Sequence, residues 1–164
     1  MKTCIRCAPL LLLLLLLSAC AAAPKFDLSA GEIAAGEGLT LHMPASDLPA
    51  PWTAEEEPGK WEAALPYAGI AFDASARADE EGTLKQVTLS AGDDGSWTQA
   101  DVDALVQALN ADYGIELVKT YDKGDFLTYA FRRNRHSVQV DLRAGRSLSF
   151  RIYYLPEMPG YEWV

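Results

Sequence analysis

The chain has 164 residues, a formal net charge of −9 and an apolar content of 49%. This length predicts one folded domain, and the apolar content excludes disorder of the whole chain. The acidic balance argues against a nucleic-acid partner, because proteins bind nucleic acids through basic surfaces.

The N-terminus has the pattern of a secretory signal. Lys2 and Arg6 are the charged residues of the first six positions, and residues 8–17 are apolar throughout. A basic start followed by a short apolar core is typical of a signal peptide. The apolar run is shorter than the roughly 20 residues that a transmembrane helix needs. We therefore predict a signal peptide over residues 1–19.

Leu17-Ser18-Ala19-Cys20 ends the apolar run. This motif resembles the lipobox of bacterial lipoproteins. The resemblance implies that a diacylglyceryl group, carrying acyl chains such as palmitate, is attached to the Cys20 sulfur, and that the chain is cut before Cys20. Ala21 stands where an Asp would favour retention at the inner membrane, so the outer membrane of the bacterial envelope is the preferred location. The alternatives are ordinary cleavage, which gives a soluble secreted protein, and an uncleaved membrane helix.

Residues 20–51 are predicted to form the lipidated N-terminus and a flexible tether. This stretch is rich in Ala, Gly, Pro and Ser, with scattered single hydrophobic residues. A flexible chain of this length has a reach of about 30 Å. The folded domain is predicted over residues 52–164, and residues 61–65 read as one helical turn before Pro66.

Residues 69–90 predict a β-hairpin, because two runs of alternating hydrophobicity flank a short loop containing Gly82. The next element is a helix over residues 98–112. Thr98 is suited to the N-cap, Gly114 to the C-terminal end, and apolar residues recur at helical spacing between them.

Residues 115–154 predict four strands with short links, an arrangement that favours an antiparallel meander. The fold class is therefore α+β, with one helix packed on an antiparallel sheet of about five to six strands.

The chemistry-bearing residues give no catalytic, cofactor or metal signature. Cys4 and Cys7 lie in the signal peptide, and Cys20 is the lipid attachment point, so a mature chain has no thiol for catalysis or metal binding. His42 and His136 lack ligand spacing and are expected at the surface.

One surface remains as a candidate binding site. If consecutive strands pair, the outward rows of the last three strands bring together basic, aromatic and acidic side chains, namely Arg132, Arg143, Arg151, Tyr153 and Asp141. Arginine offers a planar fork suited to carboxylates and to stacking. An acidic protein or an anionic envelope polymer is the expected partner. Two alternatives stay open: that Asp141 forms a structural ion pair with Arg151 or Arg132, and that the acidic N-terminal segment covers this surface.

These observations predict a membrane-anchored envelope lipoprotein with a small non-enzymatic binding domain, of the inhibitor, immunity or accessory-subunit type. The competing interpretation is an envelope hydrolase with an unrecognised site. It would require a deep pocket that holds Asp141 or His136 together with a second reactive group.

Overall fold

The computed structural model describes residues 23–92 and 96–155. The predicted signal peptide, the lipobox with Cys20 and the C-terminal tail lie outside the described residues. One helix, α1, spans Gln99–Tyr113. The strands are β1 (Thr53–Ala54), β2 (Lys60–Tyr67), β3 (Ile70–Ala78), β4 (Leu84–Ala91), β5 (Val118–Lys123), β6 (Phe126–Arg133), β7 (His136–Arg143) and β8 (Ser147–Tyr154).

All eight strands form one antiparallel sheet in the order β1-β2-β3-β4-β8-β7-β6-β5. The prediction of five to six strands is therefore wrong, although the sheet is antiparallel and carries one helix. The hairpin and the meander are joined by β4 and β8, which pair from Gln86↔Tyr153 to Ala91↔Leu148.

The main error concerns β2, because residues 61–65 form part of a strand and not a helical turn. β2 pairs with β3 along its full length, from Lys60↔Arg77 to Tyr67↔Ile70. The inward-facing residues of β2 include Ala63, whose small side chain weakens the alternation that would indicate a strand. Pro66 also pointed to the end of a helix. The proline is tolerated because β1 pairs only with Trp61 and Glu62, so the missing N–H faces no neighbouring strand.

Helix α1 begins and ends within one residue of the predicted bounds. The Asp101 carboxylate accepts hydrogen bonds from the hydroxyl and the backbone N–H of Thr98, at 2.6 and 2.8 Å. These bonds hold the pKa of Asp101 below its ordinary value. Gly114 ends the helix at φ 59°, and a Cβ at this position would lie 2.6 Å from the ring of Pro24. Glycine is therefore required both for the backbone conformation and for the close approach.

The inner face of the sheet holds the core. Alternate residues of each long strand point to this face and pack against the apolar stripe of α1. The stripe consists of Val102, Leu105, Val106, Leu109 and Tyr113, all of which are buried.

Residues 23–51 pack against the same core and do not form the flexible tether that was predicted. Leu28, Ile33, Leu39 and Leu41 are each at most 2% exposed and belong to the main hydrophobic cluster. The prediction failed because these side chains are scattered in the sequence, and only Leu39 and Leu41 have the spacing of a strand. Most of the segment is irregular, with two short 3₁₀ helices at Leu28–Ala30 and Ala45–Asp47.

The C-terminal end of α1 anchors this N-terminal segment. The hydroxyl of Tyr113 accepts a hydrogen bond from the Ala34 N–H at 2.8 Å and donates one to the Glu32 carbonyl at 2.8 Å. The carbonyl of Asp112 accepts bonds from the N–H groups of Lys25 and Phe26. One side chain and one carbonyl thus satisfy four backbone groups of a segment that has little regular structure of its own.

Within the described ranges, α1 is the one α-helix, and neither it nor the 3₁₀ helices has the length and apolar character needed to cross a membrane.

Replacing Tyr113 with Phe tests whether the N-terminal segment depends on this anchor. The change leaves the Ala34 N–H and the Glu32 carbonyl without their partner, so we expect the free energy of unfolding to fall by about 1–3 kcal/mol in urea titrations. Tyr121→Phe is the matched control, because Tyr121 is 41% exposed and should shift the free energy by less than about 0.5 kcal/mol. Equal effects of the two substitutions would contradict the anchoring role.

Candidate binding surface

The face of the sheet opposite α1 and the N-terminal segment is called the outer face below. Its residues alternate with the inward rows, and strand pairing aligns them in rows across the sheet. One row joins Thr128, Asp141, Ser149, Ser90, Asp73 and Ala64, and the next joins Ala130, Gln139, Arg151, Thr88, Ser75 and Glu62. The N-terminal segment packs on the inner face, so it does not cover these rows. The alternative in which the acidic N-terminal segment covers the candidate surface is therefore excluded for residues 23–51.

Asp141 is the centre of a hydrogen-bond network on the outer face. Its carboxylate accepts bonds from the Thr128 hydroxyl at 2.8 Å and from the Gln139 amide at 2.9 and 3.0 Å. The guanidinium of Arg151 donates a further bond at 2.9 Å. These neighbours leave Asp141 only 8% exposed, although its strand position faces away from the core.

The network holds Arg151 and Tyr153 in defined positions. Arg151 is paired with Asp141, as one of the sequence alternatives expected, but its side chain remains 41% exposed. The Tyr153 hydroxyl donates a long hydrogen bond, 3.4 Å, to the side-chain oxygen of Gln139. Because guanidinium has five N–H donors, Arg151 keeps donors for a ligand while one is used by Asp141.

Cations and aromatic rings lie together at one corner of the outer face, on β5, β6 and β7. The guanidinium of Arg143 lies 5.7 Å from the ring centroid of Phe126, and the Lys123 ammonium lies 5.6 Å from that of Tyr121. The two rings meet edge to face at 5.5 Å. Val118, which is 54% exposed, belongs to the same face of β5. This group of residues is called the aromatic corner below.

Arg132 lies at the other end of the outer face, on the row that contains Ser137 and Tyr153. Phe126 and Arg132 are six residues apart along β6, which corresponds to about 20 Å. The five residues of the predicted surface therefore share one face but do not form one patch. Asp141, Arg151 and Tyr153 belong to the central network, while Arg143 and Arg132 lie at opposite ends.

The other side of the outer face carries acidic side chains together with the exposed Arg77. A shallow groove with a volume of about 490 Å³ lies over β1 to β4, and its lining includes Glu55, Glu62 and Asp73 with no basic side chain. One side of the outer face therefore holds a groove lined by carboxylates, and the other side holds the aromatic corner.

The structure brings together two histidines that sequence analysis treated separately. His42 Nε2 lies 3.0 Å from His136 Nε2. His136 is only 6% exposed, so the expectation that both histidines lie at the surface is wrong for this residue. One signal was available, because the inward row of β7 extends by its alternation from Val138 to His136.

In the described part of the chain, no group of three or more His, Cys, Asp or Glu side chains is arranged to hold a metal ion. Comparisons with known proteins add no identification, because no family model, no curated protein and no solved structure matches the chain. The function is therefore inferred from the geometry of the chain itself.

Replacing Asp141 with Ala tests the network. The change removes the common acceptor of three side chains, and we expect the free energy of unfolding to fall by about 1–3 kcal/mol in urea titrations. Asp73→Ala is the matched control, because Asp73 lies on the same cross-strand row but is exposed, and it should change the value by less than about 0.5 kcal/mol. An Asp141→Ala protein as stable as the control would show that the network contributes nothing.

Proposed function

We propose that this protein is a lipid-anchored protein of the bacterial envelope whose folded domain binds another macromolecule through the outer face. One observation carries the binding proposal. The inner face is occupied by α1 and the N-terminal segment, whereas the outer face bears an ordered polar network and an aromatic corner. Within the described residues, it is the face on which polar groups are held in position without serving the core.

The chemistry of the outer face favours an acidic protein as the partner. On β5 to β8, the outward positions carry four basic side chains against one acidic side chain, Asp141; the basic ones are Lys123, Arg132, Arg143 and Arg151. Arg143 and Lys123 lie over aromatic rings. Aromatic and arginine side chains are enriched among the residues that dominate binding energy at protein interfaces. An inhibitor, an immunity-type protein or an accessory subunit would use such a surface. An anionic envelope polymer offers the same charge without the apolar groups that Tyr121 and Val118 would contact.

The alternative of an envelope hydrolase has weaker support. Asp141 is tied to three donors, and the groove of about 490 Å³ on the outer face is lined by neither Asp141 nor His136. This groove therefore does not provide the deep pocket around Asp141 or His136 that a hydrolase would need.

The lipid anchor is tested by fatty-acid labelling in cells. The unaltered protein should take up the label and partition with the membrane fraction, whereas Cys20→Ser should lose the label. Cys7→Ser is the matched control, since Cys7 lies within the signal peptide that would be removed, and it should retain the label. Labelling of Cys20→Ser would contradict lipidation at this residue. An unaltered protein that takes up no label and leaves the membrane fraction would support the alternative of a soluble secreted protein.

The binding surface is tested by placing a photo-crosslinking residue at Ser149 on the outer face or at Gln107 on the exposed side of α1. In intact cells we expect a discrete protein adduct from position 149 and not from position 107. Arg143→Glu should reduce the adduct about tenfold, as expected from a loss of 1.4 kcal/mol of binding energy. Arg77→Glu, an exposed substitution on the same face at β3, should leave the yield unchanged.

Two results would contradict the surface assignment. One is an adduct of equal yield from positions 149 and 107, and the other is an adduct that is insensitive to Arg143→Glu. Binding to an anionic polymer would appear as salt-sensitive retention on polymer beads without a protein adduct.

A further inference from the structure

The contact between His42 and His136 joins the N-terminal segment to one end of the sheet. His42 has a φ of 74°, and its N–H donates to the Leu84 carbonyl at 2.8 Å. His136 is the first residue of β7 and lies in the inward row. Both rings pack against the Tyr154 ring, with centroid separations of 4.5 and 5.5 Å.

The Nε2–Nε2 contact requires one hydrogen atom between the two rings. A neutral imidazole carries one N–H, so one Nε2 donates and the other accepts. The first added proton can be accommodated, because the donating ring can carry the positive charge and keep its bond. A second proton cannot be accommodated, because both Nε2 atoms would then carry hydrogen and two cations would face each other at 3.0 Å. Loss of the contact therefore follows protonation of the pair as a unit.

The charged groups around the pair do not remove this repulsion. Lys85 and Asp79 face His42 and form an ion pair of 3.1 Å with each other. Asp27 faces His136 from the N-terminal segment. The hydroxyl of Tyr154 accepts a bond from Arg135 at 3.2 Å, which adds a cation beyond the ring.

Burial lowers the pKa of both histidines below the ordinary value. The Lys85 charge lowers that of His42 further, against the opposing effect of Asp79. For His136, the second cause is repulsion from His42, with Asp27 opposing it. The unfolded chain therefore takes up these protons at higher pH than the folded chain. The stability that the two histidines contribute is therefore fully present above about pH 6.5 and is lost as the pH falls through their lowered folded-state pKa values.

We propose that His42 and His136 form an acid-sensitive clasp that holds residues 41–45 against the end of the sheet and releases them when both rings are protonated. The released part includes Leu41 and Ala45, which are buried at 2% and 3% exposure. The rest of the N-terminal segment stays in place, because its anchor at Tyr113 does not titrate in this range. In an envelope protein, such a clasp would respond to the pH of the surroundings. Only this point rests on the proposed function.

Hydrogen exchange of backbone amides in the purified mature protein tests the clasp. The reporter is the Leu84 N–H, which donates to the Met43 carbonyl at 3.0 Å. The internal control is the Ala34 N–H, which donates to Tyr113. Between pH 7.5 and pH 5.0, we expect the protection factor of Leu84 to fall at least about tenfold, as for a loss of 1.4 kcal/mol, and that of Ala34 to stay constant.

Two variants separate the clasp from general acid sensitivity. His42→Asn suits the left-handed backbone, since Asn tolerates positive φ, and it removes one titrating ring. In this variant, Leu84 should already be poorly protected at pH 7.5 and should change less than about threefold on acidification. His136→Gln keeps a hydrogen-bonding side chain and should also flatten the pH dependence.

Equal pH dependence of Leu84 and Ala34 in the unaltered protein would overturn the clasp. The same would follow if the pH dependence of Leu84 persisted in both variants. Loss of membrane labelling or of the crosslinked adduct would leave these exchange results unaffected, so failure of the proposed function and failure of the clasp are distinguishable.

Discussion

The structure depends on one geometric constraint, which is that a single short helix cannot cover the inner face of an eight-stranded sheet. Eight strands at about 4.8 Å spacing span roughly 34 Å, whereas a helix of 15 residues is about 22 Å long and about 10 Å wide. The uncovered part would expose apolar rows of the sheet to water. The N-terminal segment supplies the missing cover with Leu28, Ile33, Leu39 and Leu41. Because the segment has little regular structure, hydrogen bonds with the Tyr113 hydroxyl and the Asp112 carbonyl satisfy four of its backbone groups.

This division of the sheet connects the fold with the proposed function. The inner face uses its side chains for burial, so the outer face is available for polar groups that serve another purpose. Asp141 fixes its neighbours there, and the aromatic corner offers cations over rings that are partly exposed. A rigid sheet with such side chains suits binding, because little conformational entropy is lost when the partner docks.

Packing of the N-terminal segment also changes the picture of the membrane attachment. With a lipid on Cys20, as proposed, only residues 21–24 separate the anchor from Lys25, whose N–H is bonded to Asp112. An extended chain of five peptide steps spans at most about 18 Å. The domain would then be held close to the bilayer, and not at the roughly 30 Å reach expected for a flexible tether.

The local sequence pattern was sufficient to predict the elements whose hydrophobic residues recur with a clear period. The sequence by itself determined α1, between the cap at Thr98 and the glycine at Gly114, and the alternating strands from Phe126 to Tyr154. Side chains in one row of a strand, or in one stripe of a helix, share the same environment. Their hydrophobicity therefore repeats with the period of the element, and this repeat can be read from the sequence. The outward positions of Asp141, Arg143 and Arg151 followed from the same alternation.

Only the tertiary structure decided how distant parts of the chain meet. It pairs β4 with β8, adds β2 to the sheet, and packs the N-terminal segment beside α1. It also places His42 against His136, which are 94 residues apart. These contacts have no local period, because isolated hydrophobic residues in an irregular segment look alike whether they are buried or solvated. What selects between the two states is the apolar area that the sheet leaves uncovered, and that area exists only after the strands have paired.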